Sequence, residues 1–425
     1  MRNLVYSETS RVTYVIYISL SILNVAIPPI FVLISTPLIS LKFGAEGLAL
    51  WLILMAVASM SILLNLGISD ASLQYIGKYK YVSKKLWRFI AVSICLILVL
   101  TPFQISYFSN FGDEAQVFIS LLCLLAIMSK LAIDQVDLQL GATLKAVGRF
   151  QKNLMIDIVF KLLIYGLGIY VIYALNSIAV FFYVVLFVTL LKALFKYGEV
   201  RQCQYLYEST SSMDTMLPTK QFAIVSLGFF IMAFNGYTLA FVERLLLPGI
   251  LDLQSIGQIA VATQVTLFIH SLPAAGMSFL LPLLSAGKQA YSLVSMFLIS
   301  LVLSFSMLVI VFLFAEHGLN IWLQSDSSVI KGVIYSLSPP VFLYSLCIVP
   351  YYSLMASKKG FKLSLILLLL SGIFVVFLIT ARTNPFTLAS FVQLKVVFIY
   401  ISGLSIYGYF FFTKIVDYKN KKSYS

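Results

Sequence analysis

Two stretches in the first half of the chain carry ionisable side chains at helical spacing. Lys130, Asp134 and Asp137 fall within about 60° of arc on one helix face, and Asp157 and Lys161 lie one turn apart on another. Both stretches touch long apolar segments, where an ionisable residue costs roughly 2.5–3.5 kcal/mol on insertion scales. We therefore expect a hydrated, charged interior that contacts charged ligands. The alternatives are mutual neutralisation, since Asp157 and Lys161 form a favourable i, i+4 pair, or a position at the membrane interface.

Two further ionisable residues stand alone in apolar surroundings. Lys395 lies near Gln393 in the last apolar segment and has no acidic neighbour within one helical turn, so an unpaired cation there would suit an anionic ligand. The alternative for Lys395 is snorkelling toward the outer interface. His270 lies three residues before Pro273 and is a candidate proton carrier near neutral pH, although a hydrogen-bonded packing histidine is the simpler interpretation.

Sequence signatures of catalysis, metal binding and cofactor binding are missing. The chain has no GxxxxGK[ST], no HExxH and no CxxC, and its four cysteines are scattered. The loops predicted to lie outside the membrane are short, whereas a membrane glycosyltransferase or polymerase usually needs a sizeable outer loop for its catalytic acids. We therefore predict no catalytic residues, no metal site and no cofactor, and the sequence argues against an enzyme.

Twelve apolar segments must position these charges, and they fill the chain almost from end to end. Of the 425 residues, 61% are hydrophobic and 11% are charged, whereas soluble domains are about a quarter charged. A membrane span needs roughly 20 apolar residues. The segments that meet or approach this length are Tyr14–Leu38, Leu48–Leu66, Ile90–Tyr107, Val117–Ile133, Leu154–Leu175, Ile178–Leu194, Phe222–Phe241, Ile259–Leu284, Leu293–Phe314, Val333–Leu354, Leu363–Thr380 and Phe386–Phe412. The sequence predicts an all-α polytopic membrane protein.

The basic residues give these segments a direction. Of the 29 Lys and Arg residues, twenty-two fall on the side of the N-terminus, Lys192 and Lys196 among them, and three fall inside segments. Only Lys42, Arg244, Lys331 and Arg382 fall on the other side. The positive-inside rule then places both termini in the cytoplasm. The net charge of +13 is therefore a topology signal, aided by anionic membrane lipids, and predicts no nucleic-acid partner.

The chain divides into two halves that echo each other. Residues 1–197 hold six predicted helices, 198–220 form a polar cytoplasmic linker, and 221–425 hold the other six. At an offset of about 210 residues, Gly47 matches Gly257 and Leu144 matches Leu354. Because six is even, both halves enter the membrane from the same side, as in transporter folds with parallel repeats. We expect the substrate between the halves.

Three stretches resemble O-antigen flippases of the Wzx type, in the multidrug/oligosaccharidyl-lipid/polysaccharide exporter (MOP) superfamily. They are Thr36–Tyr79, Leu140–Val159, and Val242–Val265 followed by Ser278–Gly287. The matching residues of the first stretch are Pro37, Lys42, Gly44, Gly47 and Leu66-Gly67-Ile68. In the last stretch a family acid-plus-arginine pair corresponds to Glu243-Arg244, and a family proline to Pro282.

The resemblance implies a MATE-like fold of two six-helix lobes around a central cavity in the bacterial inner membrane. It implies alternating access and translocation of an undecaprenyl-pyrophosphate-linked O-antigen repeat unit for lipopolysaccharide synthesis, with polysaccharide assembly proteins as further partners. The expected cargo contacts are Lys130, Lys161, Arg244 and Lys395. The expected charge-balancing or ion-coupling residues, with H+ or Na+ as the ion, are Asp134, Asp137, Asp157, Glu243 and His270. The alternatives are a cation-coupled multidrug exporter of the MATE type and a membrane O-antigen polymerase.

Overall fold

A computed structural model describes residues 11–79, 84–108, 114–203, 219–248, 250–277, 293–323, 327–356, 359–381 and 387–422. It is almost entirely helical. The first ten helices are α1 (Arg11–Ala58), α2 (Ser61–Leu64), α3 (Ile68–Tyr79), α4 (Lys84–Phe108), α5 (Glu114–Ala146), α6 (Phe150–Leu175), α7 (Ile178–Arg201), α8 (Thr219–Ala240), α9 (Val242–Leu246) and α10 (Leu253–Gly276). The rest are α11 (Leu293–Leu313), a π-helical turn (Phe314–Gly318), α12 (Leu319–Leu323), α13 (Ser328–Leu346), α14 (Ile348–Ala356), α15 (Gly360–Thr380) and α16 (Leu388–Lys422).

The helices match the predicted spans in order. Eleven segments among the described residues are long and apolar enough to cross a membrane. The remaining predicted span lies in α5, which is 33 residues long and carries Lys130, Asp134 and Asp137. The prediction of an all-α polytopic membrane protein is confirmed.

Several helices run further than their apolar segments, α5 and α7 among them. α5 continues past Ile133 to Ala146, and α7 continues past Leu194 to Arg201. Asp134 and Asp137 therefore belong to a continuous helix. Lys192 and Lys196 likewise belong to a continuous helix, α7. The orientation that the charge count predicts stays a prediction.

The chain folds as two compact units, Met1–Ala233 (unit 1) and Phe234–Ser425 (unit 2), with the boundary inside α8. The linker predicted at 198–220 lies mostly outside the described residues, and the predicted domain bounds stay a prediction. In unit 1 the aromatic core centres on Trp51, whose ring lies 4.6 Å from that of Phe181. In unit 2 Phe374 and Phe398 stack at 4.5 Å.

Two glycines of the first flippase-like stretch have backbone conformations that favour glycine. Gly44 (φ 71°) interrupts α1, and Gly67 (φ 70°) separates α2 from α3. At Gly67 a Cβ would lie 2.2 Å from the carbonyl oxygen of Ser226 on α8. The Ser226 hydroxyl donates to the Leu66 carbonyl at 2.6 Å, so the break in the second span is closely packed against α8.

Lys42, the matching basic residue of that stretch, caps the C-terminus of α6. The Lys42 ammonium donates to the carbonyl oxygen of Ile172 at 3.3 Å, to that of Tyr173, and to the side-chain oxygen of Asn176 at 2.5 Å. Asn176 is left-handed (φ 50°) and ends α6. A cation is stabilised at a helix C-terminus, where carbonyl groups lack intrahelical partners. Lys42 therefore fixes the start of the second span to the end of α6.

Candidate functional site

Four charged side chains of unit 1 meet between α5, α6 and α7. The Lys196 ammonium lies 2.7 Å from the Asp157 carboxylate and 3.1 Å from that of Asp137. Lys192 lies 2.7 Å from Asp137 and 3.8 Å from Asp157. We call these residues the unit 1 quartet. Two carboxylates neutralise two lysines, which is how ionisable groups are accommodated away from water.

Small and polar neighbours complete the quartet. The Asn153 amide donates to Asp157 at 3.0 Å. A Cβ at Gly141 would lie 3.1 Å from the Asn153 side-chain oxygen and 3.3 Å from the Lys196 ammonium. Gly141 on α5 therefore provides the space in which the Lys196 ammonium reaches both aspartates.

The sequence predicted the acids of this site but missed its lysines. Lys192 and Lys196 lie at or beyond the end of the apolar run of their span. The charge count therefore assigns them to the side of the N-terminus. The signal was nevertheless present, because they lie four residues apart on one face of a helix, as basic counterparts of Asp137 and Asp157. What the sequence lacked was the helix pairing that brings the two charge types together.

Lys130 and Asp134 form a local pair on the same unit. Their charged atoms lie 2.7 Å apart at i, i+4 on α5, and the Lys130 ammonium also donates to the Ala58 carbonyl at 3.2 Å. Neutralisation within one helix, the alternative expected for Asp157 and Lys161, is therefore seen at Lys130 and Asp134 instead. It does not describe Asp157 and Lys161 in the same way, because Asp157 is paired across helices with Lys196.

Lys161 instead binds backbone. Its ammonium donates to the carbonyl oxygen of Asn24 on α1 at 2.8 Å. The acceptor is uncharged, so this cation is solvated by the protein without being neutralised at that contact. A charge-assisted hydrogen bond of this kind is roughly twice as strong as a neutral one.

A second charged cluster lies in unit 2, between α9, α10 and α16. The Lys395 ammonium lies 2.8 Å from the Glu243 carboxylate and donates to the Thr263 hydroxyl at 3.0 Å. The side chains of Lys395 and Glu243 are 1% and 0% exposed. The expectation of an unpaired Lys395 was wrong. Its acidic partner lies 152 residues away in the chain, so the spacing of residues along one helix gives no sign of it.

Arg244 is adjacent to Glu243 in the chain and equally buried. Its guanidinium donates to the Ala260 carbonyl at 3.3 Å and lies 5.0 Å from the Phe241 ring centroid. With the Gln264 amide turned so that donors face acceptors, its oxygen accepts from the guanidinium at 3.2 and 3.3 Å. These acceptors are all neutral. The unit 2 cluster therefore joins two cations to one carboxylate.

His270 lies in a separate polar chain of unit 2. Its ring centroid is 4.9 Å from that of Tyr344, whose hydroxyl donates to Asn235 at 3.0 Å. The Asn235 amide then donates to Ser371 at 2.9 Å. The structure places His270 apart from the two charged clusters, in an aromatic contact suited to packing.

Counted over both units, the charged contacts described above involve six cations and four carboxylates. The cations are Lys130, Lys161, Lys192, Lys196, Arg244 and Lys395, and the acids are Asp134, Asp137, Asp157 and Glu243. The described residues include no group of three or more His, Cys, Asp or Glu side chains that would hold a metal ion. Across these contacts the cations outnumber the carboxylates by two.

No protein-family profile and no curated protein matches the chain, whereas solved structures match nearly all of it. An inward-facing multidrug resistance MATE family transporter of the MOP superfamily has a TM-score of 0.58 at 14% identity, covering 95% of this chain and 100% of the other. The outward-facing conformation of such a transporter has a TM-score of 0.55 at 16% identity, with 96% of each chain covered. The chain has the MATE/MOP fold.

A third structure with the MATE/MOP fold is a MOP superfamily transporter from Pyrococcus furiosus. It has a TM-score of 0.59 at 16% identity, and covers 95% of this chain and 94% of the other. That protein is described as having a binding pocket of reverse polarity, which suggests a different function for it. One fold therefore accommodates sites of different charge, and function has to be argued from the side chains. Here those side chains lie in a multi-pass membrane protein with a MATE/MOP architecture.

Proposed function

We propose that this protein is an alternating-access exporter that moves an anionic, lipid-linked oligosaccharide across the bacterial inner membrane. The cargo is an undecaprenyl-pyrophosphate-linked repeat unit of O-antigen or a related polysaccharide. A pyrophosphate headgroup needs cationic, hydrated surroundings, while its polyprenyl tail stays in the lipid. Transport of this kind needs no covalent chemistry, only different affinities for the cargo in the two access states.

The observation that carries the proposal is the charge balance of the clusters. Each of the four carboxylates already lies within 2.8 Å of a lysine ammonium. Lys161 and Arg244 are held at their described contacts by neutral acceptors, so they retain positive charge that a phosphate would neutralise. These two residues are the proposed cargo contacts. Lys130 and Lys395 contribute less, because their acids are already in place.

A cation-coupled multidrug exporter is the second candidate, supported by the likeness to multidrug transporters. Such an exporter would need a membrane carboxylate that is free to bind the coupling ion or a cationic drug. In the clusters described above, that carboxylate would first have to release a lysine, at a cost in free energy. This favours the anionic cargo.

Genetic complementation separates the candidates. A strain without the gene should lose all surface O-antigen, including the single-unit form that a polymerase mutant still displays, and keep its drug resistance. Arg244→Gln should fail to restore display although the protein accumulates in the membrane, whereas Lys331→Gln, at an exposed ion pair with Glu316, should restore it. Normal display in the deletion strain, together with drug sensitivity, would establish the multidrug alternative.

Reconstitution tests the same proposal without cells. Proteoliposomes that hold the purified chain should move a fluorescent undecaprenyl-pyrophosphate oligosaccharide between leaflets, at a rate that falls at least about tenfold for Arg244→Gln. Loss of one charge-assisted hydrogen bond, about 1.5–3 kcal/mol, supports that factor. Equal rates for the two proteins would remove Arg244 from the site.

A further inference from the structure

The contact between Lys161 and Asn24 falls at a defect in the first membrane span. In an α-helix the carbonyl of residue i accepts from the N–H of residue i+4. For Asn24 that residue is Pro28, which has no backbone N–H. The carbonyl that receives the Lys161 ammonium at 2.8 Å is therefore the one that the proline leaves without its intrahelical donor.

The surroundings of that carbonyl are rich in acceptors. The Asn24 side-chain oxygen is also buried and has no hydrogen-bond partner among the described residues. Pro29 removes in the same way the intrahelical donor of the next carbonyl, that of Val25. In the hydrocarbon region no water is present to donate a hydrogen bond to such a carbonyl, so a neighbouring helix has to supply the donor. An ammonium group with three donors suits such a place.

We propose that Lys161 on α6 is the replacement donor that holds the proline-interrupted turn of α1 in place. The nearest acid along α6, Asp157, is engaged by Lys196, so Lys161 is left for the backbone. Lys161 is in this sense a positioning residue for the first span. Any anion that draws its ammonium away also withdraws a donor from α1, so occupancy of Lys161 and the order of the first span are linked.

A double-mutant cycle tests the proposal, because Pro28→Ala supplies the missing N–H. In the chain with Pro28, Lys161→Met should lower the thermal midpoint of the detergent-purified protein by about 3 °C or more. In the Pro28→Ala background the same change should lower it by less than half as much. Lys130→Met is the matched control. Its ammonium donates to the carbonyl of Ala58, which ends α1 and does not depend on a backbone N–H at residue 28, so its effect should be equal in both backgrounds.

The cycle overturns the proposal if Lys161→Met costs the same in both backgrounds. It also does so if the Lys130 and Lys161 changes couple equally to Pro28→Ala. The inference rests on the proposed function only for its link to cargo, and transport assays separate the two. If the effect of Lys161→Met depends on Pro28 but the protein moves no lipid-linked sugar, Lys161 remains the replacement donor for α1 and the proposed function is rejected. If the protein moves the lipid-linked sugar but the effect of Lys161→Met does not depend on Pro28, the proposed function stands and the role of Lys161 at α1 is rejected.

Discussion

Breaking the Glu243–Lys395 pair should destabilise the protein more than any change at an exposed ion pair. Lys395→Met removes the ammonium 2.8 Å from a carboxylate that is 0% exposed. At an effective dielectric constant of 20 the Coulomb attraction over that distance is about 6 kcal/mol. Part of it offsets desolvation, and removal of one partner from a buried pair typically costs about 3–5 kcal/mol. The thermal midpoint should then fall by at least about 6 °C.

The assay is thermal unfolding of purified protein, followed by the monodisperse fraction in size-exclusion chromatography. Glu243→Gln combined with Lys395→Met should recover most of the loss, because no charge is then buried without its partner. Lys331→Met, at the exposed pair with Glu316, serves as the control and should leave the midpoint unchanged within error. A midpoint for Lys395→Met within about 1 °C of wild type, or no recovery in the double variant, would refute the reasoning.

Three further outcomes are expected. Gly67→Ala should prevent accumulation of monodisperse protein, because φ is 70° and the Cβ would lie 2.2 Å from a carbonyl oxygen, whereas Gly166→Ala, with open space around it, should accumulate normally. Gly141→Ala should lower the thermal midpoint by a few degrees by displacing Lys196, and an unchanged midpoint would contradict the close packing of the quartet. Hydrogen bonds from Ser255 hold the pKa of the Asp252 carboxyl below its ordinary value. The ionised Asp252 therefore stabilises the start of α10 above about pH 4. This stabilisation is lost as the pH falls through the lowered pKa. The midpoints of wild type and Asp252→Ala should therefore differ at about pH 7 and draw closer as the pH falls through the lowered pKa, and a gap that stays constant down the acid range would contradict this.

The helical architecture could be predicted from the sequence because the length and hydrophobicity of each span are enough to predict a helix there. A run of apolar residues long enough to cross the bilayer has to be a helix or part of a barrel, whatever its neighbours are. The MATE/MOP fold followed from the resemblance carried by residues such as Gly44 and Gly67, which the backbone geometry explains. The ends of spans were harder, because α7 continues through Lys192 and Lys196 without an apolar signal.

How much of the candidate site could be predicted depended on whether a contact lies within one helix or between helices. The pair of Lys130 and Asp134 lies within one helix, and its spacing is visible in the sequence. The partners of Asp157 and Lys395 come from other helices, and nothing in a single sequence states which helix faces which. Lys161 combines both cases. Its acceptor lies 137 residues away, yet the reason that this acceptor needs a donor, Pro28, can be read directly from the chain.

The unit 1 quartet also has a consequence for biosynthesis. Its two aspartates lie on α5 and α6, which are made before α7 brings the two lysines. An ionisable residue opposes the release of its helix into lipid, by roughly 2.5–3.5 kcal/mol at the centre of a span and by less toward its ends. The acids of α5 and α6 should therefore keep these helices beside the insertion machinery until Lys192 and Lys196 arrive. Insertion of this region then proceeds as a group of three helices, and a chain cut short before residue 192 should be retained there or degraded.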